Sequence, residues 1–394
     1  MSPMSSRQRM LAALQCQPVD HTPCSFMLHK SLLSNSSSYL DFLQRQLDMG
    51  LDAYVQLPER QPVTLSDTYN LHGLPVSYHP SVKVKEWKEE LPDEKWPILE
   101  KEYATPAGTL RAEVRQDPDW PFGDHVPFLD DYIETRARKF IVENVADLPA
   151  LRYLLVPPTQ SEMLAYQSQS QPLIEFARSN ALLLAGGWGV GADLIGWVYG
   201  LERMVFTSYD DPELLQGLLD LIAEWNRARM QVVLSSGIDL YIKRAWYENC
   251  DFWSPRSWAK YILPVLQEEV VLAHEHNSLF GYLITSNAMP LLDMLVDSGV
   301  DVLIGVDPAR WDLRQTKAKT AGKVCLWGGV NGHLTLEQGT AEQVEQEVLS
   351  ALEVLSPGSG FILSPVDNVR QDTSRTKENV SRLISVWQRH NGLI

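Results

Sequence analysis

Three carboxylates stand just past apolar runs of this chain: Glu59, Glu248 and Asp367. A carboxyl so placed, with its pKa raised by burial, can protonate an oxygen as it leaves carbon. Glu248, with His333 or Asp367, could instead hold a divalent metal that acts as a Lewis acid. The adjacent cations Lys243 and Arg244 offer an anchor for a ligand carboxylate, and His29 beside Lys30 offers a second polar pair. Trp188, Trp197 and Trp246, the last followed by Tyr247, can hold a flat ring or a methylated cation. Asn287 and Asn331 add neutral hydrogen bonding.

Each candidate also has a plainer reading. Glu248 could form a loop salt bridge ahead of the helix that starts at Ser254, and Asp367 an Asx turn with Asn368. Glu59 lies in a Pro-Glu-Arg triplet that suits a turn, and His333 can belong to the first turn of the next helix. His274 and His276 are two apart on a helix, where side chains diverge, so they make a poor metal pair. Beside Cys250 nothing obviously lowers a thiol pKa.

The elements that must position these residues read as eight short apolar runs suited to buried parallel strands. In order they are Cys24 to Leu28, Asp52 to Gln56, Ala181 to Ala185, Asp239 to Lys243, Phe280 to Ile284, Asp301 to Gly305, Lys323 to Trp327 and Phe361 to Ser364. Amphipathic helical patterns fill most of the gaps. One follows Asp211-Pro212, another has Ser254 as N-cap with Pro255 in the first turn, and others span Pro290 to Ser298, Thr340 to Leu355 and Ser374 to His390. Repeated strand, helix, strand order predicts an α/β fold, a (β/α)8 TIM barrel with right-handed crossovers, ahead of a doubly wound open sheet. One gap is too long for a helix alone: an insert of about 57–180 between the second and third strands carries hairpin alternation before its helices. The whole of 1–394 is expected to form one barrel domain around that excursion.

Barrel enzymes keep reacting groups at the C-terminal ends of the strands, which is where the candidates lie. Thr285, Ser286 and Asn287 stand there after the fifth run, offering neutral hydrogen bonds or an N-cap for the helix near Pro290.

Composition limits the partners. The net charge of −16 works against nucleic acid, and no apolar run reaches the about 18 residues a membrane span needs. The four cysteines are widely spaced with no C-x-x-C pair, and the N-terminus lacks a secretory leader pattern, so a reducing cytoplasm is expected.

The opening "RQRMLAALQCQPVDHTPCSFML" resembles the first helix and strand of the uroporphyrinogen decarboxylase family. "YDDPELLQGLLDLI", "WYENCDFWSPRSW", "GGVNGHLTLEQGTAEQVEQEV" and "GFILSPVDNVRQDTSRTKENV" are similar to its later landmarks, in order. The resemblance implies a barrel with its cleft at the strand C-termini, and one of two chemistries: decarboxylation of a porphyrinogen, or methyl transfer with a corrinoid protein, coenzyme M or tetrahydrofolate.

True decarboxylases carry an Arg-Gln-x-Gly-Arg motif after the first strand, because an octa-acid needs guanidinium partners. This chain has "HKSLLSNSSSY" there, Trp197 near the family's cleft tyrosine, Glu59 near its aspartate and Asp367 near its last-loop histidine. The zinc-dependent methyltransferases carry His-x-Cys after the fifth strand, where this chain has Leu283 and Thr285.

The resemblance therefore implies a methyltransferase that takes a methyl group from a small ether or amine and passes it to a corrinoid or tetrahydrofolate. In that reading Glu248 or Asp367 protonates the leaving oxygen. A small-molecule substrate, a corrinoid protein and a homodimeric state are the expected partners. A decarboxylase of uroporphyrinogen or a related cyclic acid, and a non-catalytic ligand-binding barrel, remain as alternatives.

Overall fold

The computed structural model describes residues 3–57, 70–71, 74–75 and 77–394. Glu59 and the start of the insert lie outside these residues.

Apolar runs bounded by turns form a curled parallel sheet of seven strands. Its members are β1 (Tyr54–Leu57), β8 (Leu183–Gly189), β9 (Leu240–Arg244), β10 (Leu279–Leu283), β11 (Val302–Val306), β12 (Cys325–Asn331) and β13 (Phe361–Val366), neighbours in that order. They match seven of the eight expected runs. Strands buried on both faces need β-branched, aromatic and Leu residues throughout, and these supply them.

The first expected strand, Cys24 to Leu28, forms no ladder; it makes isolated parallel bridges from Cys24 to Leu363 and from Leu28 to Asn368. Side chains take the places of ladder carbonyls: Cys24 N donates to the Asp52 carboxylate at 3.2 Å and Met27 N to Ser364 Oγ at 3.1 Å. The segment still occupies the gap between the sheet edges. Leu363 N donates to Pro23 O beside β13, and Asp52 N donates to Cys24 O at the start of β1.

Between β1 and β8 the insert holds a short pair, β2 (Asn70–Leu71) with β3 (Leu74–Pro75), and a four-stranded antiparallel sheet. That sheet is β4 (Lys83–Glu89), β5 (Ile98–Thr105), β6 (Gly108–Arg115) and β7 (Ala137–Lys139). Its Tyr103, Leu110 and Ala112 join the main core, while Leu99, Val114, Trp120, Phe122, Val126 and Ile133 make a small cluster of their own. The insert is therefore fastened to the parallel sheet on one face.

Helices start where the caps predict. Asp211 accepts from Leu214 N ahead of Pro212–Leu234, Ser254 from Ser257 N ahead of Pro255–Tyr261, and Thr340 forms a capping box with Gln343. The helix expected to run on from Ser254 breaks at Ile262, because Pro264 has no N–H to continue the first helix, and a second one, Leu263–Glu275, follows. After β10 none of Thr285, Ser286 or Asn287 caps the next element, which opens as a 3-10 turn, Met289–Leu291, behind Ala288. Ser286 instead takes a left-handed φ of 63°, and Asn287 O accepts from Cys250 N at 2.8 Å.

Among the described residues no helix is long and apolar enough to cross a membrane.

Candidate active site

Alternation along β9 decides which of the two adjacent cations reaches the mouth of the curl. Leu240 and Ile242 belong to the cluster inside the curl, with Tyr54, Leu283, Ile304 and Trp327, whereas Tyr241 packs in the outer layer. Successive side chains point to opposite faces, so Arg244 continues the inner face and Lys243 the outer one.

Arg244 meets two carboxylates. Its Nη2 donates to Asp131 at 2.8 and 2.9 Å, and its Nε forms an ion pair with Asp193 Oδ2 at 2.8 Å. Its guanidinium lies between two indoles, 4.0 Å from the centroid of Trp246 and 4.9 Å from that of Trp197. Asp131 also accepts from Trp197 Nε1 at 2.9 Å and from Tyr247 Oη at 3.1 Å. Asp193 is fully buried and accepts from the backbone N–H groups of Trp246 and Tyr247. Burial pushes its pKa up to about 6 against the opposing pull of Arg244.

Asp130, the neighbouring carboxyl on the insert, is likewise raised to about 6 by burial. It caps the short helix Asp131–Glu134 by accepting from Tyr132 N at 2.9 Å. This side of the mouth is acidic and aromatic, and three of its carboxyls (Asp130, Asp131 and Asp193) were not found from sequence. Asp130 and Asp131 lie in the insert, and the pattern that betrays them is the pair Asp-Asp opening a helical turn.

Lys243 and Glu248 lie behind the mouth, against the helices. Lys243 Nζ is 2.7 Å from Glu269 Oε2 and 3.8 Å from Glu248 Oε1, and all three groups are buried. Glu248 further accepts from Ala192 N at 2.8 Å and from Tyr282 Oη, and Glu269 from Asn226 Nδ2 at 2.6 Å. Burial works to lower the Lys243 pKa, but the facing Glu248 and Glu269 charges outweigh it and raise the value. Glu248 is thus a fully engaged member of a buried charge network between β9, β10 and the helix layer. That corrects its expected position on the cleft surface, and the same holds for Lys243 as an anchor at the mouth.

Toward β1 and β13 lie His29, Gln56 and Asp367. His29 is 7% exposed and its ring lies against Phe26, with centroids 5.3 Å apart. Burial pulls its pKa down to about 4. Asp367 follows β13 with a left-handed φ of 65° and pairs with Arg370 at 2.8 Å. Burial raises its pKa.

Asn331 is committed locally: its amide donates to both oxygens of Asp307 and its carbonyl accepts from Leu334 N. His333 is an exposed ring held by Glu337 and Gln338. Asn287 is half-buried, and Trp188 lies on β8.

Among the described residues no group of three or more His, Cys, Asp or Glu side chains could hold an ion. Leu283 packs inside the curl. Of the three weak metal candidates, Glu248 faces the helix layer, while His333 and Asp367 stand on the last two loops.

The profile of the family described as uroporphyrinogen decarboxylase (URO-D) matches residues 143–390, well over half of the chain. The chain belongs to the uroporphyrinogen decarboxylase family. A solved methyltransferase from Methanosarcina mazei is similar to it at a TM-score of 0.60 and 18% identity, over 98% of this chain and 99% of that one. At that identity the likeness speaks for the fold. A B12-independent methionine synthase from Shewanella sp. W3-18-1 has a TM-score of 0.48 at 10% identity, over 94% and 97% of the two chains, too slight a likeness to argue from. No curated protein matches the chain. At this chain's mouth the inward cation, Arg244, is already neutralised by the protein's own carboxylates.

Proposed function

We propose that this chain is a cytoplasmic methyltransferase on a (β/α)8 barrel, a single domain whose eighth strand position is filled by the segment around Cys24 to Leu28. It takes a methyl group from a small methylated ether or amine. A corrinoid or tetrahydrofolate supplies the methyl-accepting nucleophile. The observation that supports the reading is the Arg244 cluster. With Asp131 and Asp193 on the guanidinium and Asp130 beside them, the mouth carries more negative than positive charge, and this works against a polycarboxylate such as uroporphyrinogen. The half-buried indole of Trp246 offers a surface to a ring or a methylated cation, with the buried Trp197 behind Arg244.

Methyl transfer from an ether breaks the C–O bond as the acceptor bonds the carbon, and the leaving oxygen then needs a proton. We assign that proton to Asp130. Asp131 and Asp193 are taken up by Arg244 and by amide or indole donors, whereas among the described residues Asp130 accepts from a single backbone N–H and pairs with no cation. A carboxyl with a pKa near 6 holds a useful fraction of its protons near neutrality. Asp367 is the second candidate, but Arg370 pairs with it.

The test is turnover with a panel of methyl ethers and methylated amines, followed through the spectral change of cob(I)alamin on methylation or through formation of methyltetrahydrofolate. Transfer from at least one class of donor is expected. Conversion of uroporphyrinogen to coproporphyrinogen, or no transfer from any donor, would sink the proposal.

A further inference from the structure

Among the described residues, two buried polar atoms on neighbouring segments of the mouth have no hydrogen-bond partner: His29 Nδ1 and Gln56 Oε1. Both residues are more than nine-tenths buried, at 7% and 4% exposed. Their segments run side by side, joined by Asp52 N donating to Cys24 O and by Tyr54 Oη donating to Met27 O at 2.8 Å.

Gln56 shares a face of β1 with Tyr54, whose ring meets Trp327 edge-on inside the curl. Its Nε2 donates toward Leu57 O at 3.4 Å, an orientation that keeps two oxygens from facing each other there. The group left over is an acceptor. The backbone beside His29 is pinned by Lys30 N donating to Asn368 Oδ1 at 2.9 Å and Ser31 N donating to Val369 O at 3.0 Å. Neither side chain can turn away cheaply to find a partner.

Each buried polar atom without a partner costs about 1–3 kcal/mol. Two together at the strand ends of a cleft call for a ligand that satisfies both. We propose that His29 and Gln56 form a subsite for a hydroxyl group on the methyl donor, the hydroxyl donating to Gln56 Oε1 and accepting from His29 Nδ1–H. The inference rests on the methyltransferase reading and adds a substrate class to it. A carboxylate would not serve, since it has no proton for Gln56 Oε1. The suppressed basicity of His29 keeps the imidazole neutral near pH 7, so one nitrogen carries a proton and no net charge opposes a neutral ligand. Arg244 and its indoles lie on the neighbouring arc of the sheet, which leaves the apolar body of the ligand to them.

The test uses calorimetric binding of 2-methoxyphenol and of methoxybenzene to the full chain, and to its Gln56→Leu and His29→Phe variants. Wild type is expected to hold the phenol at least about tenfold more tightly. Both variants should lose that preference, keep their affinity for methoxybenzene, and melt no lower than wild type because an unpaired polar atom is gone. Equal affinities in wild type, or a preference that survives in both variants, would overturn the subsite and leave the methyl-donor reading standing. A fall in Tm with the ratio unchanged would mark the two atoms as structural and overturn it equally. Binding of neither ether to wild type would overturn the subsite, while the methyl-donor reading is decided separately by the turnover panel.

Discussion

Replacing His29 by Phe should flatten the acid side of the stability profile by a calculable amount. In the folded chain burial lowers the imidazole pKa from 6.5 to about 4. The unfolded chain therefore binds a proton across that interval that the folded chain refuses, so this residue's contribution to stability falls as pH drops from 6.5 toward 4. At about pH 7 the unfolded imidazole is mostly neutral and the effect is a few tenths of a kcal/mol. At about pH 5 it is almost wholly charged, roughly 1.5 units below its ordinary pKa, and the loss reaches about 2 kcal/mol at 1.36 kcal/mol per unit. Urea unfolding of wild type and His29→Phe at both pH values isolates this term. The other titrating groups, including His21, Asp130 and Asp193, are common to both proteins and cancel in the difference. Wild type should lose about 2 kcal/mol more than the variant between the two conditions. Equal losses would show that the ring is not held neutral by burial.

Arg244→Met would leave Asp193 buried without its cation, and denaturant midpoints should fall by the equivalent of about 3–5 kcal/mol; a loss below about 1 kcal/mol would contradict the cluster. A Cβ at Gly191 would land on Glu248 Oε1 and 3.0 Å from Lys243 Cε, so Gly191→Ala should cost about 1–3 kcal/mol in thermal unfolding. Glu248→Gln should lower Tm while leaving KM for the methyl donor in place, and a raised KM at unchanged Tm would put Glu248 in the cleft after all. Asp130→Asn should cut ether turnover by about 10²–10⁴-fold yet spare quaternary ammonium donors, whose leaving amine needs no proton; equal losses on both donors would take the acid role from Asp130.

Most of the fold was legible because local chemistry and global order agree. Asp211, Ser254 and Thr340 begin helices in the structure as their positions before apolar patterns imply, and seven apolar runs pair in parallel. The segment around Cys24 to Leu28 was legible only in part, since its amides are claimed by Asp52 and Ser364 side chains, a substitution that periodicity does not reveal. For the site, sequence located the strand ends but not the direction of each side chain. Lys243 and Glu248 were grouped with the mouth because they are near it in sequence, while one step of alternation turns Lys243 away from it and the loop folds Glu248 back onto Lys243, Ala192 N and Tyr282. Asp131 reaches Arg244 across 113 positions of chain, and no pattern within a single element encodes such a contact.

The adjacency of Lys243 and Arg244 ties the frame of one strand to two separate charge balances. Both cations are buried, each is matched to carboxylates on its own side of the sheet, and a single peptide bond lies between them. A one-residue slip of β9 would bring a lysine to the indole-lined mouth and a guanidinium to the space shaped for an ammonium, leaving both sets mismatched at once. The charges thus act as a register lock: they penalise the misaligned strand from both faces, where Leu240 and Ile242 alone would penalise it from one.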